Sequence, residues 1–126
     1  KKITVFGGNQ IRPNIHIQDM IRVYEHLLLK ANSIESGNYN AGFENMSILA
    51  IAELIQSQVP AEIIVTQSND PRSYRQNSDK LLNTGFLSSF SVQNAIEDII
   101  KRYDEKEIKD MDQYYTVKTM KNLNLA

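Results

Sequence analysis

The side chains of this sequence whose type and spacing suit recognition chemistry are arginines placed just past turns. Arg12 follows the turn-forming cluster Gly7-Gly8-Asn9-Gln10, and Arg72 and Arg75 follow a second turn signal, Ser68-Asn69-Asp70-Pro71, with Tyr74 between them. Pro13 presets its own φ and pushes Arg12 into an extended conformation, so the arginine can be aimed. A guanidinium offers planar paired donors that match phosphate or carboxylate oxygens, and packing can hold its stem while the head faces a cleft. The plain alternative is a surface arginine at a strand end, with Arg72 as a solvated partner of Asp70.

Other chemistry is sparse. His16 and Asp19 fall where an extended run meets a helix, and a carboxylate in a first helical turn meets free N–H groups and the positive end of the dipole. With no nucleophile nearby in sequence, the pair reads as a hydrogen-bonded junction locking strand to helix. His16 and His26 lack a carboxylate cluster at ligand spacing, so no metal site is expected. The absence of cysteine excludes disulfides, thiolate metal sites and cysteine nucleophiles. Gly7-Gly8 is a turn, and no glycine-rich strand-turn-helix fingerprint for a dinucleotide occurs.

Periodicity supplies the elements that must position these residues. Lys2 to Phe6 is a β-branched strand, and a chain that opens inside a sheet reads as a piece of a longer protein. After the first turn, Ile11, Ile15 and Ile17 share one parity of a second extended run. Gln18 to Asn32 keeps helical spacing through Met20, Val23, Tyr24, Leu27, Leu28 and Ala31, predicting one buried face. A short extended piece, Tyr39 to Ala41, is followed by a helix from Ile48 to Gln58 capped by Ser47 and stopped by Pro60. Glu62 to Thr66 is a strand whose Ile63-Ile64-Val65 predicts cover on both faces. Ser78 is expected to cap a short helix through Asn83 that closes at Gly85, with Phe86 packing beyond it, and Ser91 starts a helix reaching Tyr103. From Asp104 the apolar residues are too sparse to define an element, which divides the chain into a domain at 1–103 and a polar tail at 104–126.

At 126 residues, 41% apolar and 23% charged, the chain has the composition of one ordinary globular domain. Its formal net charge is −1 with both signs interspersed, so no field exists to hold a nucleic acid. No apolar run approaches the length of a membrane span, and the expected compartment is the cytoplasm.

Taken in order, four tracts resemble the nucleotide-sugar-binding half of the extended short-chain dehydrogenase/reductase family, the NAD-dependent epimerases and dehydratases. The first is Gly7, Gly8, Arg12, Ile15-His16-Ile17 and Asp19; the second is Tyr39, Asn40 and Gly42, with Ala41 where the family has a branched residue. The third runs Arg72, Tyr74, Asn77, Lys80 and Leu81, and the fourth is Gly85-Phe86 followed by Ser91-Val92 and Ala95-Ile96. Asn69-Asp70-Pro71-Arg72 stands where many members carry Arg-Pro-Gly-Asp, which leaves the phosphate contact to Arg72 or Arg75; the Arg-x-Tyr spacing favours Arg72.

The resemblance implies a small mixed α/β substrate-binding domain whose Rossmann half is absent from the sequence. It implies a nucleoside-diphosphate sugar as ligand, its diphosphate held by Arg12 and Arg72 with Gln10 and Asn40 beside them. NAD or NADP would be bound mainly by the missing half of a homodimeric parent, with no cofactor expected here and no turnover by this chain alone. Tyr114 and Lys118 have the family's catalytic Tyr-x-x-x-Lys spacing, but lie after the sugar-binding tracts, whereas the family's pair belongs to the dinucleotide-binding half. The rival reading is a stand-alone, non-enzymatic α/β module that binds a small anion or a protein partner.

Overall fold

The computed structural model describes residues 1–70 and 72–124. In chain order the elements are β1 (Lys2–Phe6), β2 (Ile11–Asn14), α1 (Ile17–Leu29), β3 (Glu44–Ser47), α2 (Ile48–Gln58), β4 (Glu62–Thr66), α3 (Asp79–Leu82) and α4 (Val92–Asp104). A 3-10 turn at Asp112–Tyr114 and α5 (Thr116–Asn122) close the described chain. Two small sheets of opposite sense result. β1 and β4 pair in parallel, with Lys2 opposite Glu62 and Phe6 opposite Thr66. β2 and β3 pair antiparallel, with Ile11 opposite Ser47 and Asn14 opposite Glu44. The architecture is therefore mixed α/β, and α2 packs on β1, β3, β4 and α4.

The core is built around Val23 of α1, Leu81 of α3 and Phe86, with Ile15, Leu27, Tyr39, Ala41 and Phe43 packed against them. Val5, Ala52 and Ile96 are buried on the other elements. Burying side chains of this size contributes about 1.5–3 kcal/mol each, which is what holds short elements such as α3 in place. Ser47 caps α2 as expected, its Oγ accepting from the Ala50 N–H at 3.0 Å. Ser91 caps α4 through a reciprocal box with Asn94.

Several sequence expectations give way to tertiary contacts. The second extended run stops at Asn14, and Ile17 opens α1 with its side chain exposed, because the His16 side chain already caps a helix there. α1 ends at Leu29 rather than Asn32, and Tyr24 and Leu28 are exposed; of its apolar side chains only the narrow stripe of Met20, Val23 and Leu27 is covered. Tyr39 to Ala41 forms no strand. The pairing falls instead on Glu44–Ser47, a polar stretch with little β propensity of its own, because β2 presents the edge that it completes.

Val65 is exposed while Ile63 and Ile64 are half-buried, so β4 is not covered on both faces. Ser78 makes no cap bond to α3, which ends at Leu82; its buried hydroxyl bridges the backbone of Gly42, accepting from N–H and donating to C=O, both at 3.0 Å. Beyond Asp104 the described residues form the 3-10 turn and α5. Asp112 seats α5 by accepting from Lys118 Nζ at 3.2 Å on its carboxylate and from the Thr119 hydroxyl at 3.1 Å on its carbonyl, local polar bonds that leave no apolar period to read.

Candidate functional site

Gly7 and Gly8 make the turn between β1 and β2 at φ of 83° and 103°, a region L side chains rarely adopt. A Cβ on Gly7 would also collide with the Gln10 amide, its nearest atom at 2.4 Å. That amide knits the turn together: Oε1 accepts from the Gly8 N–H at 2.7 Å, and Nε2 donates to the carbonyls of Phe6 at 3.2 Å and Asp70 at 3.1 Å. Gln10 thereby fastens the loop that follows β4 against the turn that precedes β2. Ile11 adds two bonds of its own, from its N–H to Ser73 Oγ at 2.9 Å and to its C=O from the Tyr74 N–H at 3.0 Å.

Arg12 is delivered into this seam. Its Nη1 donates to the Ile11 carbonyl at 2.9 Å and to the Arg72 carbonyl at 2.8 Å, and the Tyr74 ring lies 5.2 Å from its guanidinium carbon. Pro13 opposes Asn45 in the β2–β3 pair, and its missing N–H is tolerated in so short a ladder. The two arginines then converge on one carboxylate. Arg72 grips Asp70 with Nε at 2.6 Å and Nη2 at 2.9 Å, and Arg12 Nη2 reaches the same Asp70 at 3.4 Å. The side chains of Arg12, Asp70 and Arg72 are 29%, 37% and 68% exposed, so the cluster faces solvent. Hydrogen bonds from the Arg72 guanidinium and backbone hold the Asp70 carboxyl down to about 2, and the same pairing pushes Arg72 upward. A cavity of about 250 Å³ adjoins the cluster, lined by Gly7, Asn9, Gln10, Ser68, Asp70 and Ser73.

The remaining site residues are divided. Asn40 donates to the Asn77 carbonyl at 3.2 Å and makes no hydrogen bond to the arginine cluster among the described residues. Arg75 lines a different cavity, of about 500 Å³, with Asn45, Asn77 and Ser78, away from the carboxylate that Arg72 holds. Lys118 turns to Asp112 and lies 4.5 Å from the Tyr115 ring, while Tyr114 is exposed. Its neighbour Tyr115 donates to Asp110, and that bond pushes the phenol upward. Among the described residues no group of His, Cys, Asp and Glu could hold a metal ion.

His16 and Asp19 do form a junction, but not with each other. His16 Nδ1 accepts from the Gln18 N–H at 3.1 Å and so caps α1, leaving Nε2 to face Asp98 of α4 at 3.4 Å; the ring stacks on Phe90 at 4.7 Å. Asp19 is 0% exposed. It accepts from the N–H groups of Ser89 and Phe90, both at 3.0 Å, and from Arg22 one turn along α1. The carboxylate expected to serve its own helix end instead ties that end to the segment leading into α4. No spacing in the sequence points to Ser89 and Phe90, because the bond is made to backbone groups.

No family model matches this chain. No curated protein matches it. Among solved structures it is similar to that of RMD from Pseudomonas aeruginosa complexed with NADPH, at 21% identity and a TM-score of 0.70, over 83% of this chain. The chain spans 36% of the length of that protein. A likeness at this identity speaks to the fold, and it agrees with the mixed α/β architecture described above.

Proposed function

We propose that this chain is the substrate-binding portion of an NAD-dependent nucleoside-diphosphate-sugar epimerase or dehydratase of the extended short-chain dehydrogenase type, with Arg12 and Arg72 as the diphosphate ligands. The observation that carries this is the meeting of two guanidinium groups, from β2 and from the loop after β4, on the single carboxylate of Asp70. A space in which two guanidiniums already hold an anionic oxygen pair has the charge and donor geometry that a diphosphate requires. Gln10 supports the site by pinning the loop, rather than by an amide left over for ligand.

In such an enzyme the nicotinamide supplies hydride transfer, and the dinucleotide would be held outside this chain. The part played here is positioning. Fixing the diphosphate at two points sets the sugar carbon against the reacting centre, and orientation of this kind is a large share of what an enzyme contributes. The order of the four tracts and the likeness to an NADPH-complexed protein support the reading.

The test is a thermal-shift screen of a polypeptide containing this chain against nucleoside-diphosphate sugars, followed by calorimetry on Arg12→Ala. Loss of one charge-assisted contact should weaken binding roughly 10- to 150-fold with the circular dichroism unchanged. Unaltered affinity overturns the assignment. Binding of inorganic pyrophosphate as tight as that of any nucleotide sugar points instead to a module for small anions.

A further inference from the structure

We infer that Asp70 is the specificity-determining residue of this site, an internal anion that holds the two arginines together and is exchanged for the ligand, so that a diphosphate displaces it where a single phosphate does not. The inference rests on reading Arg12 and Arg72 as diphosphate ligands, and it concerns what a ligand must displace to reach them. As the site stands, the Nε–Nη2 edge of Arg72 is fully occupied by Asp70, and that edge is the one a phosphate would take. Arg12 has Nη1 committed to the Ile11 and Arg72 carbonyls, and its Nη2 reaches Asp70 only at 3.4 Å.

Charge decides what can enter. Two guanidiniums and one carboxylate sum to a single positive charge, and a single phosphate arriving at Arg12 would meet the Asp70 carboxylate alongside it with no second group to engage Arg72. Once the carboxylate turns away, the Nε–Nη2 edge of Arg72 and the Nη2 of Arg12 are released together, and two joined phosphates can engage one each. Asp70 is able to turn. Its side chain is partly exposed beside a cavity of about 250 Å³, while its backbone is pinned independently, N–H to Ser68 Oγ and C=O to the Gln10 amide, both at 3.1 Å. The exchange costs the bonds Asp70 makes to the Arg72 guanidinium and N–H, and a diphosphate replaces them from the same guanidinium donors.

The experiment is calorimetry of inorganic pyrophosphate and orthophosphate with a polypeptide containing this chain and with its Asp70→Asn, Asp70→Ser, Asp70→Glu and Arg12→Ala variants. Removing the internal anion should tighten pyrophosphate binding roughly three- to tenfold in both neutral variants, and should narrow the preference for pyrophosphate over orthophosphate. Asp70→Glu, which keeps the charge, should behave as the unaltered chain. Equal or weaker pyrophosphate binding in both neutral variants, with Arg12→Ala still impaired, overturns the exchange and leaves the diphosphate site standing. No pyrophosphate binding by the unaltered chain or by either neutral variant removes the diphosphate reading, and the exchange with it.

Discussion

Asp19 and Asp70 are both aspartates held by arginine, and they do opposite things. Asp19 has no solvent exposure and accepts from two backbone N–H groups besides Arg22, so it is a strut between α1 and the segment entering α4. Asp70 is partly exposed, and its partners are two arginine side chains and the backbone of its own turn. Residue type is the same in the two places. What differs is desolvation: the buried carboxylate cannot leave without giving up two backbone N–H donors and an arginine at once, whereas water can replace every partner of the exposed one.

The comparison is broken most forcefully at the buried end. Asp19→Ala should cost about 3–4 kcal/mol, since it strands the Ser89 and Phe90 donors and an arginine bent over α1, and a urea titration should show the midpoint falling accordingly. Arg12→Ala should leave that midpoint in place and act on ligand instead, by the 10- to 150-fold already stated. His16→Ala removes the α1 cap and the stacking on Phe90, for about 1–2 kcal/mol by the same titration.

Acid sharpens the contrast further. The Asp70 carboxyl is lowered from 3.8 to about 2, so its pairing with Arg72 is complete above pH 3.8 and is lost as pH falls through about 2. A carboxyl-carbon NMR titration should place the Asp70 midpoint near that lower value, and a midpoint at 3.8 would mean the pair does not form in solution. The smallest effect is expected from Asp70→Asn on the fold itself, where the urea midpoint should not move.

Much of the architecture could be read from local pattern. β1, α2 and β4 coincide with the sequence-based expectations, since β-branched runs, helical periodicity, the Ser47 cap and Pro60 all act within a few residues. β3 could not be read, because Glu44-Asn45-Met46-Ser47 becomes a strand only by lying beside β2. Ser78 shows the same limit: a serine before a helix is ordinarily a cap, and here its hydroxyl is spent on Gly42. Order of tracts singled out Arg12 and Arg72, and the plain alternative paired Arg72 with Asp70, which is the pair that forms; nothing in the sequence placed Arg12 on the same carboxylate.

What the sequence by itself determined is where the backbone turns and which side chains emerge there: Gly7-Gly8 followed by Arg12-Pro13, and Asp70 ahead of Arg72. These follow from φ restrictions and turn chemistry, which are local. Only the tertiary structure decided that the two arginines share a carboxylate and that His16 and Asp19 reach to α4 and its entry rather than to each other. The physical reason is that hydrogen-bond partners some 60 or more residues apart are chosen by how β2 and α1 pack, and the energy of those bonds depends on the burial that packing produces.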